Sequence, residues 1–452
     1  MRGLRTTIGL AVVLGGLFAY IYFVTWKQPE QAAGPKLDKV FASLEADKIG
    51  ELRITSESGE TSALKKEKDG WRLAEPVTAA ASETDASAIT SALASLEIVR
   101  VIDEKPASLN DYGLATPRIE VAFKAAGDKD YRSLLIGQKS PTGGNLFAKK
   151  KGEDKVFLIA GYQEPTFNKA TFDLRDKAAL HFDRDKVDRI AIDAGGKGLE
   201  LAKAGNDWNI SKPVKTASDF SAVEGLIGRL MSAQMKSIAS DTPSPADLKK
   251  YGLDKPSATV TLGLGSATAA LQIGGKSPDG AMYAKDASKP IVMTIDSALV
   301  DELKKGPDDY RRKELFAFRA YDATRLEFTR GGQTVAFDKV KGSKPVDEDK
   351  WQRAPVKDAK PVDADKEKMS VLLAKLESVR AAKFVDSAAK TGLDSPALTV
   401  YAKFDDGKKE ERVMFGKSGE TIYASRAGEA GAATISPMEY DEIIKKLDEL
   451  TK

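Results

Sequence analysis

Tyr251-Gly252-Leu253-Asp254-Lys255-Pro256, near the centre of the chain, has two counterparts. Tyr112-Gly113-Leu114-Ala115-Thr116-Pro117 precedes it and Thr391-Gly392-Leu393-Asp394-Ser395-Pro396 follows it. The glycines lie 139 and 140 residues apart (252 − 113 and 392 − 252). Solenoid repeats run at roughly 20–50 residues, so a period this long is that of a whole domain. Gly at the head of the phrase suits a positive-φ turn. Pro suits the first position of a strand, where no N–H is needed.

Further phrases recur in the same order. Trp71, Trp208 and Trp351 are followed by Pro76-Val77, Pro213-Val214 and Pro355-Val356. Leu135-Ile136-Gly137, Gln272-Ile273-Gly274 and Met414-Phe415-Gly416 form a third set. Phe147-Ala148, Tyr283-Ala284 and Tyr423-Ala424 form a fourth. Each copy opens on alternating apolar residues around a Gly-rich turn, which reads as a hairpin leading into the Trp strand. A helix follows, with Asp85, Asp219 and Asp363 as expected N-caps. Its apolar residues recur at intervals of four and three: Ile89, Leu93, Leu96; Val223, Ile227, Leu230; Met369, Leu373, Leu376. That spacing places them on one face. Alternation resumes after the Pro (Ile119, Val121, Phe123 in the first copy), and a closing helix is clearest over 439–450. The expected fold is α+β: three tandem homologous domains with mainly antiparallel sheets and helices on one side.

The expected boundaries are a cytoplasmic N-terminus and transmembrane anchor over 1–27, a tether over 28–35, and repeat domains over 36–175, 176–312 and 313–452. Arg2 and Arg5 precede a run without charge from Thr6 to Trp26. About 20 apolar residues cross a bilayer core as a helix. Tyr20, Tyr22 and Trp26 fall where aromatic rings favour the membrane interface. A cleaved signal peptide would have a shorter apolar core ending in small residues, whereas this run exits through Phe23-Val24-Thr25-Trp26-Lys27. Long domains translocate largely regardless of charge, so the body is expected outside the cytoplasm, on the periplasmic side of a bacterial inner membrane.

The chain has no cysteine and one histidine, and 70 basic against 67 acidic residues give a net charge of +3. The lack of cysteine excludes disulfides, thiolate metal sites and cysteine nucleophiles. Mixed charges without a basic stripe argue against nucleic acid as a partner. Gly275-Lys276-Ser277 and Gly416-Lys417-Ser418 resemble the end of a phosphate loop but lack its upstream Gly, which favours a hairpin turn. Asp363-Ala364-Asp365-Lys366-Glu367 lacks the Gly and Glu of a calcium loop and reads as a helix start. His181 lies at a domain junction with no orienting partner in the sequence, and a structural or surface role is expected for it. The tryptophans are assigned to the core, although repeated stacking on a sugar or peptide is the alternative. Arg175 and Arg311, beside acidic residues at the junctions, are assigned to interdomain ion pairs, with a partner-docking ridge as the alternative. No catalytic, cofactor or metal residue is assigned.

The anchor together with the Trp/Pro-Val, Gly-Leu-x-x-Pro and Ile-Gly phrases resembles a bacterial family of membrane-anchored proteins known as a domain of unknown function. The resemblance covers nearly the whole chain behind the anchor. It implies an extracytoplasmic accessory subunit beside an ABC-type transport system of the gliding-motility kind, and it supplies no catalytic residues. The leading expectation is therefore a non-enzymatic interaction scaffold with membrane or envelope protein partners. A second is a protein that binds cell-wall glycan or peptide through three equivalent sites. A third, an envelope hydrolase, needs clustered titratable residues in a concave pocket.

Overall fold

A computed structural model describes residues 13–22, 37–141, 143–342, 349–355, 360–385 and 390–451. The chain divides into two compact units, Met1–Lys177 and Ala178–Lys452. Residues 13–20 are helical, with Tyr20 and Tyr22 exposed. Among the described residues no helix is long and apolar enough to cross a membrane. Most of the flanks of the expected span lie outside the described residues, as do Trp26 and the 28–35 tether.

The first unit carries one nine-stranded antiparallel sheet. Its strands are β1 (Ile49–Thr55), β2 (Thr61–Glu67), β3 (Gly70–Glu75), β4 (Ala79–Ala80), β5 (Arg100–Asp103), β6 (Ile119–Ala125), β7 (Arg132–Lys139), β8 (Asn145–Lys150) and β9 (Val156–Ala160). Their order is β4-β3-β2-β1-β6-β7-β8-β9-β5. The chain leaves β4 at one edge and returns as β5 at the other, so the helix Glu83–Ser95 between them must cross one face. Ile89 and Leu93 on that helix and the following Leu96 join Leu52, Ile54, Trp71, Leu73, Val121 and Phe123 in a single core. Alternation sends Phe147 and Leu158 to the opposite face, where they pack with Leu114 in a smaller cluster. The closing helix is reduced to Glu164–Phe167.

The second unit holds two more sheets with the same strand order, one from Arg189–Ala194 to Val292–Ile295 and one from Ala323–Arg330 to Ala432–Ile435. Three sheets of one topology with helices on them make this a three-domain α+β fold. Helices Phe220–Ser232 and Lys366–Ser378 occupy the crossing position. Closing helices are Ser297–Leu303 in the second copy and Pro437–Thr451 in the third.

Two local expectations need correction. The N-caps are Ser82, Asp219 and Asp365, whose side chains accept the N–H of Asp85, Ala222 and Lys368. Asp85 is the third residue of its helix and instead accepts the Ser82 hydroxyl at 2.6 Å. Asp363 is still held in the short strand Val362–Asp363, paired with Gln352. The repeated prolines Pro117, Pro256 and Pro396 also do not begin the strands. The next residue makes the first ladder bond: Arg118 N–H to Ile136 O, Ser257 N–H to Ile273 O and Ala397 N–H to Phe415 O. Proline has no N–H to give, so the ladder starts one position later.

Candidate functional site

The repeated phrases meet in space. Gly113, Gly252 and Gly392 have φ of 65°, 69° and 74°, which ends each turn in the left-handed region. The turn lies against the strand carrying the Ile-Gly phrase. A Cβ at Gly137, Gly274 or Gly416 would come closer than 3.0 Å to the carbonyl oxygen of Tyr112, Tyr251 or Thr391. In the second copy that carbonyl also accepts the Gly275 N–H at 2.7 Å. The fourth phrase completes the knot: Tyr112 packs edge-on to Phe147 at 5.1 Å and Tyr251 lies 4.5 Å from Tyr283. The third copy has Thr391 in place of the first ring.

Trp71 and Trp208 are buried, and Trp351 is half-buried against the third core. Trp208 still donates its ring N–H to Glu224 at 3.2 Å. Pro76 and Pro213 follow the Trp strands directly through cis peptide bonds, and Pro355 stands two residues beyond its strand. Pro117, Pro256 and Pro396 lie in the turns before the resumed strands. Gly275-Lys276-Ser277 closes a hairpin, with the Ser277 hydroxyl bonded to Ala281 O at 2.9 Å. His181 is exposed, its Nδ1 3.1 Å from Lys289 Nζ.

The charged clusters differ from copy to copy. In the first, Arg118 donates to Glu57 at 2.9 Å and to Glu164 at 2.6 Å, and Lys139 pairs with Glu164 at 2.9 Å. Burial pushes the Glu164 carboxyl up, but hydrogen bonds from Lys139 and Arg118 outweigh it and hold its pKa low. The Arg118 guanidinium also holds Glu57 below the usual range. In the second, Glu302 is the hub: it pairs with Arg229 at 3.1 Å and Lys305 at 2.8 Å and accepts the buried Tyr310 hydroxyl at 3.3 Å. Burial, reinforced by the Glu302 charge, raises the Tyr310 pKa. In the third, Arg325 joins Glu327 and Asp338, each at 2.7 Å.

Two clefts accompany these clusters. One in the second copy, of about 360 Å³, is lined by Arg229, Lys236, Ile295, Asp296 and Leu299 among others. One in the third, of about 290 Å³, is lined by Tyr321, Lys339, Lys341, Asp349, Asp405 and Asp406. Two of its carboxylates pair with its lysines, Asp349 with Lys339 at 3.6 Å and Asp406 with Lys341 at 3.5 Å. Among the described residues no group of carboxylates and histidine is placed to hold a metal ion.

The junction of the second and third copies is polar and packed. Arg311 is buried; its guanidinium lies 4.8 Å from the Phe384 ring of the next copy and pairs with Asp308 at 3.2 Å. The Asp308 pair lies within its own copy, and the Phe384 contact across the junction is cation–π. Burial removes Arg311 from any exposed docking ridge. Arg175 is buried too, and its backbone bridges Ala81 as that of Arg311 bridges Ser218. Arg426, not singled out from the sequence, donates to Glu314 O at 3.1 Å and Arg312 O at 3.2 Å and pairs with Glu429 at 2.9 Å. Glu429 accepts the Thr216 hydroxyl of the second copy at 2.6 Å. Desolvation, with the nearby Arg312 charge, pulls the Arg426 pKa down to about 10. The crevice left there is about 20 Å³, room for about one water.

The geometry defines a class: tandem antiparallel α+β domains whose shared residues build turns and cores. Two segments, residues 71–216 and 208–396, match the family described as Domain of unknown function (DUF4340), and the chain belongs to that family. The matched segments begin at Trp71 and Trp208, equivalent positions of successive copies, so each runs from the middle of one sheet into the next copy. No curated protein and no solved structure matches the chain.

Proposed function

We propose that the chain is a single-span, membrane-anchored scaffold or accessory subunit. Its three domains lie outside the cytoplasm of a bacterial inner membrane, beside an ABC-type transport system. The observation that carries this reading is the use made of the shared residues. Glycines, prolines and tryptophans common to the copies are consumed in turns, strand ends and cores, while charged clusters differ from copy to copy. A repeated shape with varied surfaces suits an interaction scaffold better than three copies of one reaction. The uncharged run from Thr6 to Trp26 supports the anchor. Crosslinking in intact cells, followed by purification of the chain from solubilised membranes, is expected to recover transporter or envelope proteins. Recovery of none sinks this reading.

Binding of cell-wall glycan or peptide is favoured by one observation, the cleft of the second copy. Its cations Arg229 and Lys236 correspond to Ala92 and Val99 in the first copy, so the site is not repeated. Trp71 and Trp208 are buried and unavailable for stacking.

A further inference from the structure

The eighth and ninth strands of every copy are joined by a turn carrying a charge pair three residues apart. The pairs are Lys150–Glu153 at 2.7 Å, Asp286–Lys289 at 3.7 Å and Arg426–Glu429 at 2.9 Å. The chemistry at the first position differs. Asp286 is buried and accepts from the N–H and hydroxyl of Ser288. A carboxylate can only accept, so it cannot hold backbone carbonyls. Lys150 offers a single point charge, spent on Glu153. Arg426 alone of the three presents a planar fork of N–H donors, able to bond several acceptors at once. Those acceptors are Arg312 O and Glu314 O, on either side of Lys313 in the segment joining the second and third copies. Arg312 N–H is bonded to Ala217 O in the second sheet, and the Glu314 backbone bridges Arg380 in the third.

We propose that Arg426 is an interdomain clamp that holds the second and third domains as one rigid body, with the pivot at Lys313. The guanidinium grips the connecting backbone from the third domain. Its partner Glu429 takes the Thr216 hydroxyl of the second domain, and the neighbouring Ala430 N–H reaches Lys215 O at 3.4 Å. Arg311 stacked on Phe384 closes the other side. Four contacts that straddle a three-residue connection remove its torsional freedom. Ion pairs screened by water do little of this kind, but Arg426 is only 9% exposed and its bonds are shielded. The proposal is independent of where the protein resides or what it binds.

The chain has no cysteine, so two introduced thiols can carry spin labels without background. Asn206→Cys in the second domain and Glu420→Cys in the third lie in exposed turns. In the otherwise unaltered full chain, the distance between labels is expected to be a single narrow distribution. A broad or multiple distribution overturns the proposal whatever any variant does. Arg426→Met is expected to broaden it about twofold, the behaviour of domains joined by a small, polar interface. Arg426→Lys keeps the charge and the Glu429 pair but not the fork, and is expected to broaden it as well. Hydrogen exchange over strand Leu398–Phe404 reports whether the third domain stays folded in each variant. A folded Arg426→Met or Arg426→Lys protein with the parental narrow distribution refutes the clamp.

Discussion

At the residue scale, the glycines and tryptophans of the repeat serve packing. The close approach at Gly274 leaves no space for a methyl group beside Tyr251 O and the Leu253 side chain. Overpacking of this sort costs about 1–3 kcal/mol, so Gly274→Ala is expected to lower the unfolding free energy of the second unit by that amount in a urea titration. Gly198→Ala is the control: nothing lies within 4 Å of its added carbon, and a change below about 0.5 kcal/mol is expected. Equal losses at the two sites would disprove the lock. Trp208 is 2% exposed, and Trp208→Ala should cost about 3–5 kcal/mol. Trp351→Ala, at a half-buried position, should cost less in the same urea titration. These residues were legible in the sequence because Gly, Pro and Trp recur only where geometry forbids substitutes. Gly113 and Gly137 being two halves of one contact was not legible, since the 23 residues between them give no hint of proximity.

At the element scale, periodicity located the strands and helices but not their ends. The helix face Met369, Leu373, Leu376 is buried, yet its cap is displaced by two residues from the expected Asp363. Both positions hold Asp, and only the pairing of Val362–Asp363 with Gln352–Arg353 decides between them. Asp365→Ala therefore removes the acceptor for Lys368 N–H and should cost about 1 kcal/mol. Asp363→Ala should leave the helix start unaffected. Amide exchange of the first helical turn distinguishes them, and faster exchange after Asp363→Ala alone would contradict this assignment. The fifth strand of each copy, at the edge of its sheet, was not legible for a different reason. Arg100–Asp103, Met235–Ser240 and Lys383–Val385 are short edge strands without clean inside–outside alternation. An edge strand with one solvated side carries little hydrophobic pattern to read.

At the scale of the whole molecule, the threefold copying was visible from end to end, whereas the division into two units was not. The proposed clamp at Arg426 uses residues outside the phrases that the copies share, so those phrases do not point to it. The same holds for the Arg118 cluster, which ties three distant parts of the first unit together: the turn after β1 through Glu57, the start of β6, and the closing helix through Glu164. Position 118 is Ser257 and Ala397 in the other copies. This cluster makes the first unit sensitive to acid. The folded-state pKa of Glu164 lies below its ordinary value of 4.5, so its contribution is fully present above about pH 4.5 and is lost as pH falls through the lower, folded value. Glu164→Gln is expected to destabilise the first unit by about 1–2 kcal/mol at pH 7, the scale of a partly buried charged hydrogen bond discounted for the exposure of Lys139. The gap between variant and parent should close on acidification below pH 4.5, because the parent loses what the variant already lacks. Hydrogen exchange of peptides from Ile119–Ala125, followed from pH 7 to pH 3 with correction for intrinsic rates, reads the first unit alone. A gap that stays constant or widens toward acid would show that Glu164 is protonated in the folded chain and that the cluster contributes through packing instead of charge.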